Sequence, residues 1–479
     1  MSRSAHPAGP RHADVRPGSV ALGPPPIDPG ALDPSVWPDT AARIGGVLHV
    51  GGLSAAELVR RHGSPLLVLD EADVRRRAGD FVAAFAQADV YYAAKAFLCT
   101  AVAGWMDEAG LGLDVCSGGE LAVALAAGFP PERMALHGNN KSVAELERAV
   151  AVGVGRVVID SSAEIDQLAA IAAAGGVRQK VFIRSTVGVE AHTHEYIATA
   201  HEDQKFGLSL AGGDAARAAA AVLAEPALEL VGIHSHIGSQ IFDTDGFEVA
   251  AHRVVELLAR LRDEHGVELP EINLGGGLGI AYVASDDPAP VKAVADRLRT
   301  VVARECAAAG LAEPRMSVEP GRAIIGPAGV TVYEVGTVKP VQLDGHMQRL
   351  YVSVDGGMSD NIRTALYDAD YTVVLAGRES TAPPVSARVV GKHCESGDVV
   401  VRDAWLPEDV APGDLLAVAA TGAYCRSMAS NYNFVPRPPV VAVHDGNDRV
   451  LVRRETEAEL LALDTGWEPG AAPRSGDQR

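Results

Sequence analysis

Residues 90–97 read Val-Tyr-Tyr-Ala-Ala-Lys-Ala-Phe, a short apolar run that ends in a lysine. The run from Val90 to Ala94 predicts a buried strand, and the segment from Phe97 to Met106 predicts the helix that follows it. Lys95 then lies in the turn between the two. Because α/β enzymes carry their reactive groups at the carboxyl ends of strands, Lys95 is a candidate catalytic residue. The alternative is a lysine whose stem merely covers the end of a strand.

The same alternation of apolar runs and helical segments continues to Glu319. It predicts eight strands, at 90–94, 111–115, 134–137, 156–159, 180–184, 229–235, 270–274 and 315–319. Strands that alternate with helices indicate a parallel sheet with right-handed crossovers. Eight of them in about 230 residues favour a closed, TIM-like (β/α)8 barrel, and an open doubly wound sheet is the alternative.

Residues with chemical or conformational roles follow most of these strands. They are Lys95, Asp114, Ser117, His137, Asp160, His236, Gly275 to Gly277 and Glu319. A barrel builds its site from the carboxyl ends of many strands at once. This placement therefore favours the barrel over the open sheet.

The character of the sequence changes on both sides of the predicted barrel, which spans 70–327. Residues 1–40 are rich in Pro and Gly and predict a disordered extension, and 461–479 predict a disordered tail. Val-, Thr- and Tyr-rich runs at 328–460 predict a C-terminal β-domain, a Greek-key-like barrel or sandwich. Strand-like segments within 41–69 are expected to pair with that domain.

The composition excludes several classes of protein. The 42 basic and 62 acidic residues give a formal net charge of −20, which argues against a nucleic-acid partner. No apolar run approaches the roughly 18 residues of a membrane span, so no membrane partner is expected. The cysteines are scattered without a Cys-x-x-Cys pair, which argues against a disulfide framework or a metal site and favours the cytoplasm; they are Cys99, Cys116, Cys306, Cys394 and Cys425.

Three features near strand ends suggest how an anionic cofactor could be held. Gly275-Gly276-Gly277 lets backbone N–H groups approach a phosphate, although a plain tight turn is the alternative. His236 could cover a planar ring, although a histidine at a strand end is often structural. Glu319 and Arg322, separated by a Pro-Gly turn, place a carboxylate and a guanidinium together.

Lys95, the three glycines, His236 and Glu319 together meet the requirements of pyridoxal 5'-phosphate. The lysine would carry the cofactor and the glycines would hold its phosphate. The carboxylate would keep the pyridine nitrogen protonated, which makes the ring an electron sink for a carbanion at the α-carbon of an amino acid. The sequence therefore predicts an enzyme that acts on a small amino acid.

Ordered motifs across residues 45–455 resemble the diaminopimelate decarboxylases, a family of barrel-type (fold-type III) pyridoxal-phosphate enzymes. The motifs are YAAKA at 92–96, LDVCSGGEL at 113–121, HGNNK at 137–141, GVEAHTHE at 188–195, HIGSQ at 236–240, EPGR at 319–322, DNIRTALY at 360–367, CESGD at 394–398 and GAY at 422–424. The resemblance implies decarboxylation of meso-2,6-diaminopimelate to L-lysine and carbon dioxide, the last step of lysine biosynthesis.

The resemblance also implies a role for each site residue. The catalytic residues would be Lys95, His236, Glu319 and the proton donor Cys394. The cofactor would be held by Lys95, His236, Ser239, Gly275, Gly276, Gly277, Glu319, Pro320, Gly321, Arg322 and Tyr424. The substrate would be bound by Arg322, Arg363, Tyr367, Glu395 and Tyr424. No metal is implied. Members of the family are homodimers in which Cys394 and Glu395 would reach the neighbouring subunit's site.

Two other functions remain as alternatives. An ornithine- or arginine-type decarboxylase on the same scaffold is disfavoured by Arg363, Tyr367 and Glu395, because diaminopimelate carries a second amino-acid head whose carboxylate needs a cation. A non-catalytic regulatory homologue would be expected to lack Lys95 or Cys394, and both are present.

Overall fold

The computed structural model describes residues 24–188, 205–343 and 348–466. The first elements form a small antiparallel sheet, β1 (Ala42–Ile44), β2 (Val47–Val50) and β3 (Leu53–Ser54), followed by helix α1 (Ala55–His62) and strand β4 (Leu66–Asp70). Strand β4 joins the C-terminal domain, as expected for the segment 41–69. Strands β1 to β3 instead pair with one another, and a bond from Leu48 N to Ala376 O (2.9 Å) links them to that domain.

Eight parallel strands close into the predicted barrel. With the short strand β10, they are β5 (Asp89–Ala93), β6 (Gly112–Val115), β7 (Met134–Leu136), β8 (Arg156–Ile159), β9 (Gln179–Thr186), β10 (Leu208–Ser209), β11 (Leu228–Ser235), β12 (Glu271–Asn273) and β13 (Arg315–Val318). Strand β13 pairs with β5, and β9 pairs with both β8 and β11, so the ring is complete. Strand β10 extends the end of β9.

Helices surround the barrel and cover its strands. They are α2 (Glu71–Ala84), α3 (Thr100–Glu108), α4 (Gly118–Ala126), α5 (Val143–Val152), α6 (Ser162–Ala174), α7 (Asp214–Ala224), α8 (Asp245–His265), α9 (Val291–Ala309) and α10 (Arg322–Ile325). Local sequence sets several of their ends. Ser142 and Glu145 form a reciprocal capping box that starts α5, and Gly153 ends it in a left-handed conformation.

The barrel strands are buried along most of their length because both faces of a parallel sheet are covered. Tyr92, Leu113 and Val157 are examples of strand residues in the main core, and each is fully buried. At the amino-terminal ends of β8 and β12, Arg156 and Glu271 form a two-pronged ion pair across the barrel, with N–O distances of 2.8 and 2.6 Å. This ion pair lies at the amino-terminal end of the barrel, opposite the residues at the carboxyl ends of the strands that are described below.

The C-terminal domain is a mixed β-sheet. Its elements are β14 (Gly329–Gln342), β15 (Gln348–Val354), α11 (Arg363–Tyr367), β16 (Val373–Leu375), β17 (Pro384–Val390), β18 (Val399–Pro407), β19 (Leu415–Val418), β20 (Val440–His444), β21 (Asn447–Val452) and α12 (Glu457–Leu461). The long strand β14 pairs first with β4 and β19 and then, from Val335 onward, with β15; the β14–β15 pairing is irregular between Val335 and Val338. Strand β14 thereby connects β4 and β19 at one end to β15 at the other.

Loops of this domain lie over the carboxyl ends of the barrel strands. Tyr424 N and Ser427 Oγ both donate to Ala96 O, at 2.8 and 3.0 Å. Thr372 Oγ1 donates to Tyr282 O at 2.8 Å. The two domains therefore meet at the residues that follow Lys95 and the glycine run.

The predicted disordered extension does not reach residue 40. Val36 and Trp37 are buried, with exposed fractions of 0% and 1%, and pack in a core cluster with Leu48 and Leu66. Their large apolar surfaces favour burial over exposure to water. Residues 1–23 and 467–479 lie outside the described residues, as does most of the motif at 188–195. In the described ranges, no helix combines the length and the apolar character needed to cross a membrane.

Candidate active site

A cavity of about 280 Å³ opens at the carboxyl ends of the barrel strands, beneath the loops of the β-domain. Most residues assigned from the sequence line it, namely Lys95, His236, Ser239, Gly276, Gly277, Glu319, Gly321, Arg322, Arg363, Tyr367 and Tyr424. Residues from both domains thus surround one space large enough for a small ligand.

Lys95 lies in a single turn of 3-10 helix, residues 94–96, directly after β5. Its side chain is 45% exposed, and its Nζ is 3.7 Å from Asp114 Oδ2 at the end of β6. Enclosure alone would lower the pKa of Lys95, but the charge of Asp114, with smaller effects from Tyr424 and Glu319, raises it above its ordinary value. The amine therefore reaches into the cavity beside a fixed anion.

Glu319, at the end of β13, is held by three side chains. Asn273 Nδ2 donates to Oε1 at 2.8 Å, and His137 Nε2 and His234 Nε2 lie 3.1 and 3.2 Å from the two carboxylate oxygens. Burial alone would raise the pKa of Glu319, but the two imidazoles hold it well below its ordinary value. The site therefore contains an ionised carboxylate in a fixed orientation.

The ligand atoms of His137, His234 and Glu319 lie within 4.8 Å of one another, a spacing that could also hold a metal ion. In this arrangement the imidazoles pair directly with the carboxylate. The two rings also contact each other edge to face, with centroids 5.0 Å apart.

His236 lies just beyond β11 and lines the cavity. Burial, followed by the positive charges of Lys95 and Arg184, holds the pKa of His236 well below its ordinary value. Its Nδ1 accepts a hydrogen bond from Gly276 N at 3.3 Å. A neutral, flat ring held in this way can stack on a planar cofactor.

The glycine run is required by close backbone approach. A Cβ atom on Gly276 would lie 2.0 Å from Glu319 O, and one on Gly277 (φ +104°) would lie 2.1 Å from Gly238 O. Neither position can carry a larger residue without moving the backbone. The run forms a wall of the cavity with no side chains, beside Ser239 and Gly321, and this wall fits the phosphate of the cofactor.

Two residues assigned to cofactor binding do not line the cavity. Gly275 N donates to Asn273 Oδ1 at 2.8 Å, and Pro320 O accepts a bond from Ala93 N at 3.0 Å. Their contacts shape the backbone behind the cavity wall.

Two arginines line the cavity and have no acidic partner in the part of the chain that the structure describes. Arg322 and Arg363 are 7% and 5% exposed, and the Nε atom of each has no hydrogen-bond partner. Among the described residues, neither guanidinium forms an ion pair with a carboxylate. Arg322 Nη2 donates to Ser239 Oγ at 3.0 Å, and its Cζ lies 4.6 Å from the ring centroid of Tyr424. Two desolvated cations therefore remain available for anionic groups of a ligand.

The loop before Arg363 is organised by Asp360. Its carboxylate accepts hydrogen bonds from Tyr333 OH and from Gly357 N, the latter at 2.8 Å. Burial raises the pKa of Asp360 to about 7. This buried carboxyl therefore connects β14 to the loop that positions Arg363.

We expect the Asp360 carboxyl to make the stability of the fold depend on pH. The pKa of Asp360 is about 7 in the folded state, above its value in the unfolded state. The protonated carboxyl therefore stabilises the folded state fully below the unfolded pKa, and this stabilisation is lost as the pH rises through 7. Asp360→Asn removes this titration but keeps an acceptor for Gly357 N. As the pH rises from about 5 to about 8, we expect the melting temperature of Asp360→Asn to fall less than that of the wild type, as measured by calorimetry.

Asp263→Asn is the matched control, because the Asp263 side chain is 66% exposed. Its pH profile should follow that of the wild type. Parallel profiles for the wild type and Asp360→Asn would contradict the assignment of this titration to Asp360.

Cys394 and Glu395 do not line the cavity. They lie in the loop between β17 and β18, where both are exposed. Glu395 Oε1 accepts a bond from Gly397 N within that loop, at 3.2 Å. A single chain therefore does not bring these two predicted residues to the site.

Several site residues carried no role in the sequence analysis. Arg184 lines the cavity, with its Cζ 4.4 Å from the ring centroid of Phe206 and its Nη1 3.7 Å from Asp160 Oδ2. His234 and Asn273 hold Glu319. Arg184, His234 and Asn273 each lie within the last three residues of a predicted barrel strand. This position is the feature of the sequence that could have identified them.

The fold and the site together define a barrel-type pyridoxal-phosphate enzyme. The sequence model described as "Pyridoxal-dependent decarboxylase, pyridoxal binding domain" matches residues 71–326. The chain is 59% identical over 439 residues to the diaminopimelate decarboxylase of Mycobacterium tuberculosis, an alignment that covers 90% of this chain and 98% of that protein. It is 45% identical over 429 residues to the diaminopimelate decarboxylase of Bacillus subtilis, with coverages of 89% and 97%.

A solved structure agrees with these relatives. The fold is similar to that of diaminopimelate decarboxylase from M. jannaschii in co-complex with L-lysine, with a TM-score of 0.83, 30% identity, and coverage of 90% of this chain and 99% of that one. The chain therefore belongs to the pyridoxal-dependent decarboxylases and, within them, to the diaminopimelate decarboxylase family.

Proposed function

We propose that this protein decarboxylates meso-2,6-diaminopimelate to L-lysine and carbon dioxide. The observation that carries the proposal is the pair of buried guanidiniums, Arg322 and Arg363, which line the same cavity as Lys95 and have no acidic partner among the described residues. Relatives at 59% and 45% identity carry the name diaminopimelate decarboxylase.

The charges of the substrate match this cavity. Diaminopimelate loses one carboxylate in the reaction and keeps another at its distal end, where a guanidinium can bind it with two parallel hydrogen bonds. Ornithine and arginine lack a distal carboxylate. A pocket with unpaired buried cations would therefore disfavour them by several kcal/mol.

The residues around the cavity fit pyridoxal phosphate. We propose that Lys95 attaches the cofactor covalently and that Glu319 faces its ring nitrogen. His236 would cover one face of the ring, and the glycine run with Ser239 would hold the phosphate. When bound, the cofactor supplies an electron sink for the carbanion left at the substrate α-carbon. The ionised Glu319 carboxylate keeps a proton on the ring nitrogen, which maintains that sink.

The chain itself must return a proton to the α-carbon after carbon dioxide departs. We assign this step to the thiol of Cys394, which carries a transferable proton. Lys95, which lines the cavity, would hold the cofactor between turnovers.

The function is tested by offering the purified protein, with pyridoxal phosphate, meso-diaminopimelate, L-ornithine and L-arginine in separate reactions. Carbon dioxide and the amine products are quantified by mass spectrometry. We expect L-lysine and carbon dioxide from diaminopimelate alone. Turnover of ornithine or arginine instead would overturn the assignment of the arginine pair, and a protein that binds the cofactor but turns over none of the three would support a regulatory role.

We also propose that the active enzyme is a homodimer in which Cys394 and Glu395 of one subunit complete the other subunit's site. The loop that carries them is firmly held, because Asp398 accepts bonds from Met358 N at 2.6 Å and from His393 N at 2.8 Å. Cys394 and Glu395 are exposed and do not line their own cavity, as residues that serve a second subunit would require.

Exposed apolar residues near this loop support the same arrangement. The ring of Tyr432 lies 5.2 Å from that of His393, which directly precedes Cys394. Tyr432 and Phe434 are 40% and 71% exposed, and Leu366, on the helix that begins at Arg363, is 43% exposed. Large exposed apolar side chains beside a functional loop are typical of a surface that another subunit covers.

Mixing two inactive variants tests the shared site. Lys95→Ala and Cys394→Ala should each be inactive, but subunit exchange should restore about a quarter of the wild-type activity, because half of the dimers then contain one intact site. Activity is measured after mild dissociation and reassociation of the two proteins.

The matched control mixes Lys95→Ala with Glu319→Gln. Both of these changes affect the barrel part of the site, so no exchanged dimer contains an intact site, and activity should not rise above the low level of Glu319→Gln alone. Recovery in the control, or none in the test pair, would contradict the shared arrangement.

For location, we propose a reducing compartment, the cytoplasm. The proposed proton donor Cys394 is an exposed free thiol, and it must stay reduced to hold its proton.

A further inference from the structure

Two tyrosines lie against the arginine pair of the cavity. Tyr282 follows the glycine run, and Tyr371 precedes β16 in the C-terminal domain. They are 5% and 2% exposed. Their rings meet edge to face, with centroids 5.1 Å apart and an interplanar angle of 77°.

Tyr282 contacts both guanidiniums. Arg322 Nη1 donates to the Tyr282 hydroxyl, and Arg363 Cζ lies 4.6 Å from the centroid of the Tyr282 ring. Arg363 Nη1 also donates to the Tyr371 hydroxyl at 2.5 Å. The orientation of each arginine is therefore coupled to one phenol ring.

The main chain of Tyr282 is itself fixed by both domains. Its N–H donates to Asp286 Oδ2 at 2.9 Å within the barrel domain, and its carbonyl accepts from Thr372 Oγ1 at 2.8 Å. The phenol is thus held in place independently of the arginines that it contacts.

A phenol orients a guanidinium without neutralising it. Burial raises the pKa of Tyr371 well above its ordinary value, although Arg363 opposes this, so that hydroxyl stays neutral. A carboxylate in the same place would form an ion pair and cancel the charge that a ligand needs. With phenol partners, both arginines are positioned and still carry an uncompensated charge.

We propose that Tyr282 is a positioning residue that holds Arg322 and Arg363 in the orientation that binds the distal carboxylate of the substrate. It thereby sets the preference for a diamino acid with two carboxylates over one with a single carboxylate. The inference rests on the proposed function and extends it, because it assigns the specificity to a residue that need not touch the reacting atoms.

Tyr282→Phe tests the inference, because it removes the hydroxyl and keeps the ring. We expect KM for meso-diaminopimelate to rise about tenfold, as for the loss of a hydrogen bond to a charged group. We expect kcat to stay within about threefold, and the inhibition constant of 1,5-diaminopentane, which has both amines but lacks the distal carboxylate, to change by less than about threefold. Cofactor affinity, measured by titration of absorbance, should not change.

A merely structural role would give a different result. Equal losses of affinity for diaminopimelate and 1,5-diaminopentane, or a fall in kcat with KM unchanged, would overturn the inference. If Tyr282→Phe does not fold, Tyr371→Phe removes the hydroxyl bonded to Arg363 instead, and the same selective rise in KM is expected.

Tyr351→Phe is the matched control. The Tyr351 ring lies 5.9 Å from Arg388 Cζ, outside the cavity, so removing its hydroxyl should leave KM, kcat and inhibition by 1,5-diaminopentane unchanged. Failure of the wild type to turn over diaminopimelate would refute the proposed function. Normal turnover by the wild type, with Tyr282→Phe showing unchanged constants, would refute this inference alone.

Discussion

Lys95→Ala is expected to abolish decarboxylation, with kcat falling by at least about a thousandfold. Lys95 is the amine that reaches the cavity directly from the end of β5, 3.7 Å from Asp114 Oδ2. On the proposed assignment the variant lacks the covalent attachment of the cofactor, although the glycine run and the ionised Glu319 would still hold it. Turnover is measured by release of carbon dioxide, and attachment is measured by borohydride reduction followed by peptide mapping.

Lys292→Ala is the control for this experiment. The Lys292 side chain is 81% exposed and pairs with Asp296 on the surface, so its loss should change neither turnover nor attachment. If Lys95→Ala retained turnover, or if mapping placed the cofactor on a different lysine of the wild type, the assignment of Lys95 would be wrong.

Glu319→Gln is expected to lower kcat by about a hundredfold with a smaller change in KM. The substitution keeps the approximate shape of the side chain but removes the charge that lies against His137, His234 and Asn273. On the proposed assignment of Glu319, a neutral amide would not keep the ring nitrogen protonated, and the electron sink would be weakened. Steady-state kinetics across a range of pH should show the loss at every pH tested.

Two further variants make the result specific. Glu319→Asp retains the charge on a shorter side chain and should recover part of the lost kcat. Glu256→Gln, whose carboxylate is 66% exposed on α8, should behave as wild type. A nearly normal kcat for Glu319→Gln, or no difference between Gln and Asp at this position, would show that the charge is not what matters.

The barrel was predictable from the sequence because its signal is local and repeated. The predicted strand at 156–159 coincides with β8 (Arg156–Ile159), and the predicted strand at 111–115 differs from β6 by one residue. Apolar runs of this length alternate with helical segments through the whole domain, and parallel strands must then align their carboxyl ends. Lys95 and Glu319 could therefore be expected at one site although they lie far apart in the chain.

Other features depend on contacts that spacing along the chain does not encode. Trp37 is buried against the β-domain, although its Pro-rich surroundings predicted disorder. Strand β4 pairs with β14 and β20, whereas β1 to β3 pair among themselves, and this choice is made by tertiary packing.

The sequence by itself determined the barrel, the β-domain and the chemical groups at the strand ends, because periodicity and residue type are local properties. Only the tertiary structure decided which charges are paired. It places Glu319 between two imidazoles and Arg322 against a phenol, and it leaves Cys394 outside its own cavity. The physical reason is that hydrogen bonds, charge interactions and desolvation depend on distances of a few ångströms between residues remote in the chain.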